Sequence, residues 1–302
     1  MLWMLVLGCA GGETEDSGEP VDGFVKLFAG VSEASPTYCA VRADGTPTCF
    51  GDAFGVRDVP VNQGFLQILP NQQCGLDLDG EVLCWKEDWG LFAELPPGPY
   101  SKIMANDPLR TSDAFVLAMR QGSGELVLAT ESTDVADNAP EQGTEVLDFV
   151  GRTFELGSGC MVLLDGSISC FPEGAEDRFQ HDIPKGSFER VFQIWTHFCA
   201  LDADGYASCF GEFFQGFEAE MVEAGPPLIE IEGPFLLTQD NEFVLADYSY
   251  PLGEDTIQEG DLFVDLSYSV HECAIPLERP DTVECHHMDE YPMAVLPPGV
   301  DD

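Results

Sequence analysis

The residues best able to do chemistry in this chain are its cysteines: Cys9, Cys39, Cys49, Cys74, Cys84, Cys160, Cys170, Cys199, Cys209, Cys273 and Cys285. With Cys9 set aside, the other ten fall into neighbours along the chain. Cys39 and Cys49, Cys74 and Cys84, Cys160 and Cys170, and Cys199 and Cys209 are each ten apart, and Cys273 and Cys285 are twelve apart. Paired thiols either hold zinc or oxidise to disulfides. Cysteine-based zinc sites favour a C-x-x-C spacing, which occurs nowhere here, so the pairs are expected to be disulfides. An odd count that becomes even once Cys9 is reserved for another use fits an exported, oxidised protein.

Other candidates read as structure. Asp77 with Asp79 and Asp202 with Asp204 form Asp-x-Asp-Gly, but the further ligands of a calcium loop are missing, so turn chemistry is expected of them. His181, His197, His271, His286 and His287 lack the spacing of a metal-binding helix, and His286-His287 is read as an exposed loop. No phosphate-binding loop, nucleophile elbow or dinucleotide fingerprint is present. No catalytic residue, metal site or cofactor is therefore expected. The most aromatic segment, "FGEFFQGF" from Phe210 to Phe217, holds the two candidate binding residues, Phe213 and Phe217. Its Phe214 follows the first Cys of its unit by the same fifteen residues as Phe54 and Trp89, and is read as packing.

What must position these residues is a repeated hairpin. Between each ten-spaced pair lies x-Asp-Gly, as in Ala43-Asp44-Gly45 or Ala203-Asp204-Gly205, the composition of a three-residue loop whose last residue takes a left-handed conformation. Centring the loop on the Asp sets the two cysteines opposite each other at a non-hydrogen-bonded position, close enough to bridge. Each bridge closes a short loop, a contribution of about 2.8 kcal/mol in the chain-entropy treatment.

Two further units lack both cysteines. In "FLLTQDNEFVLA", Phe235 and Leu245 hold the Cys positions; in "FVLAMRQGSGELVLA", Gly124 takes the turn and Leu128 the second Cys position. Seven units then recur roughly every 35 to 44 residues, the spacing of propeller blades with four short strands. Each follows a strand-like segment: "FVKLF", "FLQIL", "YSKIM", "VLDFV", "FERVFQI", "LIEI" and "LFVDL". The first Cys and the apolar residue two later share a face, and the aromatic after the second Cys (Phe50, Trp85, Phe171, Phe210) is expected to pack between blades. "LPPGV" at Leu296 to Val300 repeats "LPPGPY" at Leu95 to Tyr100, so the chain stops where an eighth unit would start, as expected if the last blade closes on the first.

Across 302 residues, 12 Lys and Arg face 55 Asp and Glu, a formal charge of -43. Such a surface repels a phosphate backbone, so nucleic acid is excluded as a partner and a basic protein fits better. The opening "MLWMLVLGCAGG" is apolar up to Gly8, and Val6-Leu7-Gly8 before Cys9 resembles a lipobox, which would make Cys9 the lipidated residue. The expected organisation is a signal segment over 1–8, an acidic flexible linker over 9–22 and a propeller over 23–302. Attachment to the membrane is expected through the lipid alone.

The repeat Cys-x-apolar-x-x-Asp-Gly-x-x-x-Cys-aromatic-Gly, preceded by Pro-Pro-Gly-x-aromatic-x-x-Ile, resembles the repeats of the regulator of chromosome condensation family, above all the cysteine-containing versions in bacterial surface lipoproteins. The likeness runs over about residues 23 to 300. It implies an all-β, seven-bladed β-propeller with hairpin disulfides in five repeats. Family members include a nucleotide exchange factor and a secreted inhibitor of β-lactamases, so the resemblance implies protein binding. The expectation is a monomeric, non-enzymatic lipoprotein scaffold of the envelope or outer cell surface. The competing expectations are an envelope lyase or hydrolase with a site built from loops, and an acidic cation-binding surface protein.

Overall fold

A computed structural model describes residues 23–30, 37–51, 58–85, 90–105, 114–151, 159–171, 183–194, 197–211, 222–223, 225–232, 235–245, 261–268 and 272–286. They form seven three-stranded antiparallel sheets, each with its strands in chain order. Sheet one comprises Phe24–Gly30, Thr37–Arg42 and Pro47–Gly51, and sheet two Phe65–Leu69, Cys74–Asp77 and Val82–Cys84. Sheet three is Tyr100–Ala105, Phe115–Arg120 and Leu126–Thr130, and sheet four Val146–Gly151, Gly159–Leu163 and Ile168–Phe171. Sheet five is Phe188–Ile194, His197–Asp202 and Ala207–Gly211; sheet six is Leu228–Glu232, Phe235–Thr238 and Phe243–Leu245; sheet seven is Phe263–Tyr268, Glu272–Pro276 and Glu284–His286. The protein is all-β apart from two short helices, Gly90–Glu94 and Thr133–Asn138. Both helices follow a third strand. Sheet three therefore runs on into a helix, where the repeat spacing predicts a fourth strand. Ser132 caps that helix by accepting from the Val135 N–H.

The hairpins form for the reason their composition predicts. In sheet one the Arg42 N–H donates to Thr46 O at 3.0 Å and the Gly45 N–H returns to Arg42 O at 2.8 Å, closing a three-residue loop. Asp44 braces it by accepting from the Thr46 N–H at 2.8 Å. In sheets one to six the residue ending the loop is left-handed: Gly205 has φ 87° and Asn241, where the glycine is replaced, has φ 63°. This register sets Cys39 opposite Cys49, Cys74 opposite Cys84, Cys160 opposite Cys170, Cys199 opposite Cys209 and Cys273 opposite Cys285. All five pairs are disulfides, with Cα atoms 4.0 to 4.1 Å apart. In the units without cysteine, Leu117 faces Leu128 and Phe235 faces Leu245.

The first strand of every sheet carries a bulge between its first and third residues, as between Phe24 and Lys26. An inserted residue breaks the two-residue alternation, so residues three apart share the buried side. Phe24 with Leu27, Phe65 with Ile68, Tyr100 with Ile103, Val146 with Phe149, Phe188 with Val191, and Leu228 with Ile231 are accordingly buried.

These side chains fill cores between sheets. Cys39 and Val41 of sheet one pack on Phe65 and Ile68 of sheet two. Cys160 and Val162 of sheet four pack on Phe188, Val191 and Phe210 of sheet five. The seventh sheet returns to the first, Cys273, Ile275 and Val283 packing on Phe24, Leu27 and Phe50. The aromatic after the second Cys stacks within its own sheet, Phe50 on Tyr38 and Phe210 on Phe198, and packs on the core of the neighbouring sheet.

Backbone bonds follow the same circuit. The carbonyl ending one hairpin turn accepts from the first residue of the next sheet: Gly45 from Phe65, Gly80 from Tyr100, Gly124 from Val146, Gly166 from Phe188, Gly205 from Leu228, and Asn241 from Phe263. Pro280 of sheet seven accepts from the Phe24 N–H at 2.5 Å, joining the last sheet to the first. The arrangement is consistent with a seven-bladed propeller.

Candidate functional site

The bulge that turns residues one and four inward leaves residue three of each first strand for another purpose. That residue is Lys26, Gln67, Lys102, Asp148, Arg190, Glu230 and Asp265 in sheets one to seven. Each is the partner, across the sheet, of the apolar residue two after the first Cys or its equivalent, as Lys26 is of Val41 and Asp265 of Ile275. Three are cationic, three anionic and one an amide. Only 12 residues of the chain are Lys or Arg, and three of them stand at this one position, so their placement is not a sampling of the surface.

Their partners lie in other sheets. The Lys26 ammonium donates to both carboxylate oxygens of Glu230, at 2.6 and 2.7 Å, and to Asp265 Oδ1 at 3.0 Å. The other Asp265 oxygen accepts from the Leu27 N–H at 2.5 Å. One cluster thus ties sheets six, seven and one. On the far side, Lys102 donates to Asp148 Oδ1 at 2.6 Å, and Asp148 Oδ2 accepts from the Val191 N–H at 3.0 Å, tying sheets three, four and five. Gln67 joins sheets two and three through both ends of its amide, accepting from the Ile103 N–H and donating to Ile103 O, each at 2.8 Å. Arg190 donates to Ile229 O, joining sheets five and six.

Burial sharpens the electrostatics of the first cluster. The Asp265 side chain is 2% exposed, against 35% for Lys26. Burial, then the neighbouring Glu230 carboxylate, hold the Asp265 carboxyl well above its ordinary range, against the pull of Lys26. Burial pushes Glu230 in the same direction, but the Lys26 ammonium, hydrogen bonds from Asp265 and Lys26, and the Arg190 charge outweigh it and lower its pKa. Burial opposes the charge on Lys26, and the two carboxylates overcome it and raise its pKa. Two carboxyl groups beside one ammonium thus divide the work, Glu230 holding the charge and Asp265 favouring its proton. Chemically the ring is a set of cross-braces between first strands, with its charges neutralising one another.

The residues singled out from sequence lie elsewhere. Asp77 Oδ1 accepts from the N–H groups of Asp79 and Glu81, each at 2.9 Å, and Asp202 Oδ1 from those of Asp204 and Tyr206. These aspartates therefore form the turns. Among the described residues no group of three or more His, Cys, Asp or Glu could hold a metal ion. His197 is buried at the start of the middle strand of sheet five, and His286 ends the third strand of sheet seven. Cys9, Phe213 and Phe217 lie outside the described residues, as do Phe54, Trp89, Phe214, His181, His271 and His287. The polar ring has a signal in the sequence: written from their first buried residue, the seven strand-like segments all have a polar third residue.

No family model matches the chain, and no curated protein matches it significantly. Among solved structures, it is similar to the ectodomain of the receptor kinase CR4 from Physcomitrella patens. The TM-score is 0.60 at 16% identity, over 86% of this chain and 72% of that one. At such identity the likeness concerns the fold alone. The C-terminal domain of gp131 from bacteriophage phiKZ aligns at a TM-score of 0.43 and 9% identity, over 90% and 93% of the two chains. The computationally designed Ika8 protein aligns at 0.39 and 10%, over 82% and 79%.

Proposed function

We propose that the chain is a seven-bladed β-propeller of the regulator of chromosome condensation type, acting as a non-enzymatic, lipid-anchored scaffold that binds another protein at the bacterial envelope or outer cell surface. The observation that carries this reading is the use made of the polar ring. Its charged groups bond one another and the backbones of neighbouring sheets, so they hold the assembly together, and recognition falls to the loops and turns. The compartment follows from chemistry. Five disulfides belong outside the reducing cytosol. Among the described residues no helix is long and apolar enough to cross a membrane, and the attachment we propose is a lipid on Cys9, which follows Val6-Leu7-Gly8.

The test is affinity capture from a cell-envelope extract with the full, oxidised protein at low and high salt. A specific protein retained at low salt and released at high salt is the expected result, because a surface of charge -43 recruits by attraction that salt screens. Retention of none overturns the scaffold reading. For the anchor, Cys9→Ser should move the protein from the membrane fraction to the soluble one.

A further inference from the structure

Among the described residues, every large apolar side chain left exposed lies at one end of the sheets, where the first strands begin and the hairpins turn. Six of these nine belong to adjoining sheets: Leu262 and Leu277 of sheet seven, Val25 of sheet one, and Val61, Leu66 and Leu78 at sheet two. They follow one another along an arc over these three sheets. The Leu277 N–H donates to Leu262 O at 2.9 Å, and Pro280 bonds the strand that carries Val25. Leu78 lies across the next seam, where a Cβ on Gly45 would meet its Cδ2 at 2.9 Å and one on Gly64 its Cδ1 at 2.6 Å. Val61 is 62% exposed and Leu78 53%.

Carboxylates outnumber cations around this arc. Asp44, Asp79, Glu81, Asp261 and Asp281 are exposed along it. Of its two arginines, Arg279 is paired with Glu284, and Arg42 lies 4.5 Å over the Phe24 ring. A second copy of so acidic a chain is repelled, and so is an anionic lipid surface. We propose that this arc docks a cationic segment of a partner protein bearing aliphatic side chains, whose leucine-like residues cover the apolar positions while its Lys or Arg residues meet the carboxylates. The proposal rests on the scaffold reading and names the face that performs it.

The test uses the full oxidised protein and two synthetic peptides of equal length and charge, one built from Lys and Leu, the other from Lys and Ser, with binding followed by fluorescence anisotropy at physiological salt. The Lys–Leu peptide should bind about tenfold tighter or better, since charge alone cannot distinguish the two. The double variant L66S/L78S, whose changes are at exposed positions, should lose that preference, and L147S/L164S on sheet four should keep it. Equal binding of the two peptides, or an unchanged preference in L66S/L78S, overturns the proposal. So does self-association in sedimentation, or tighter binding to anionic phospholipid vesicles than to the Lys–Leu peptide. If L66S/L78S still captures the same envelope protein as the unaltered chain, the arc is overturned and the scaffold reading stands; if the unaltered chain captures none, both fall.

Discussion

Replacing Lys26 by Met removes the cation bonded to both Glu230 and Asp265. Taking one partner from a buried ion pair costs about 3 to 5 kcal/mol, because the remaining charge is left without compensation. Lys26 is 35% exposed, which lets water screen part of the interaction and reduces the expected loss to about 2 kcal/mol near pH 8. The sign with pH is set by the three groups together. The Lys26 pKa is raised on folding, so its contribution is present in full below the unfolded value of about 10.4 and is lost only as pH rises through the folded one. In the variant Glu230 loses the ammonium that lowers its pKa, and protonation relieves the unpaired carboxyls, so the penalty should shrink as pH falls from 8 toward 5. Urea denaturation followed by tryptophan fluorescence at the two pH values measures this, with the exposed Lys185→Met as the control. A K26M variant within about 0.5 kcal/mol of the parent at pH 8, as expected for an ordinary surface change, would refute the cross-brace.

Asp265→Asn should reverse the trend at the neighbouring carboxyl. A carboxyl whose pKa is raised on folding favours the folded state below its unfolded pKa and loses that contribution as pH rises through the folded one, so the parent should lose stability relative to D265N as pH rises above about 4; parallel pH profiles would count against it. Gly205→Ala and Gly122→Ala both place Ala at positive φ, 87° and 86°, but a Cβ at residue 205 meets Leu228 O at 2.7 Å while one at residue 122 meets nothing within 4 Å. Gly122→Ala should cost about 1 kcal/mol and Gly205→Ala about 1 to 3 kcal/mol more, by thermal or urea unfolding; equal losses would mean that the seam between sheets five and six yields freely. The double variant C199A/C209A should be less stable than the oxidised parent by about 2.8 kcal/mol, and a peptide map of the parent linking Cys199 to any partner but Cys209 would remove the basis of that figure.

The hairpins were legible because each is a local code. A ten-residue Cys spacing centred on Asp-Gly specifies a loop length, a left-handed residue and a register at once, and the same frame could be followed into the units where Phe235 and Leu245 stand for the cysteines. The bulge was not legible, since no residue type marks it: Val25, Leu66, Ser101, Leu147 and Glu189 share only their place. The polar ring was hidden for a related reason. A motif search seeks the same residue in each repeat, whereas here Lys, Gln, Asp, Arg and Glu complement one another, and that complement exists only between sheets. Acidic composition predicted a basic partner but no face, because the hydrophobic arc comes from three discontinuous pieces of chain. Among the described residues none of the seven sheets has the expected fourth strand, and in sheet three a helix capped by Ser132 follows the third strand instead.

The placement of the disulfides bears on how such a chain reaches its folded state. Every one closes over ten or twelve residues and none joins two sheets. Each hairpin can therefore be sealed as soon as its own few residues have emerged into an oxidising space, with no wait for the rest of the chain and little opportunity for wrong pairing among the ten thiols. Most contacts formed early are then of low sequence separation, which favours rapid assembly. One step of very high separation remains, the meeting of Phe24 with Pro280. That last encounter is purely non-covalent, and it is the step at which a partly assembled row of sheets would expose the apolar edges of sheets one and seven to aggregation or to a chaperone.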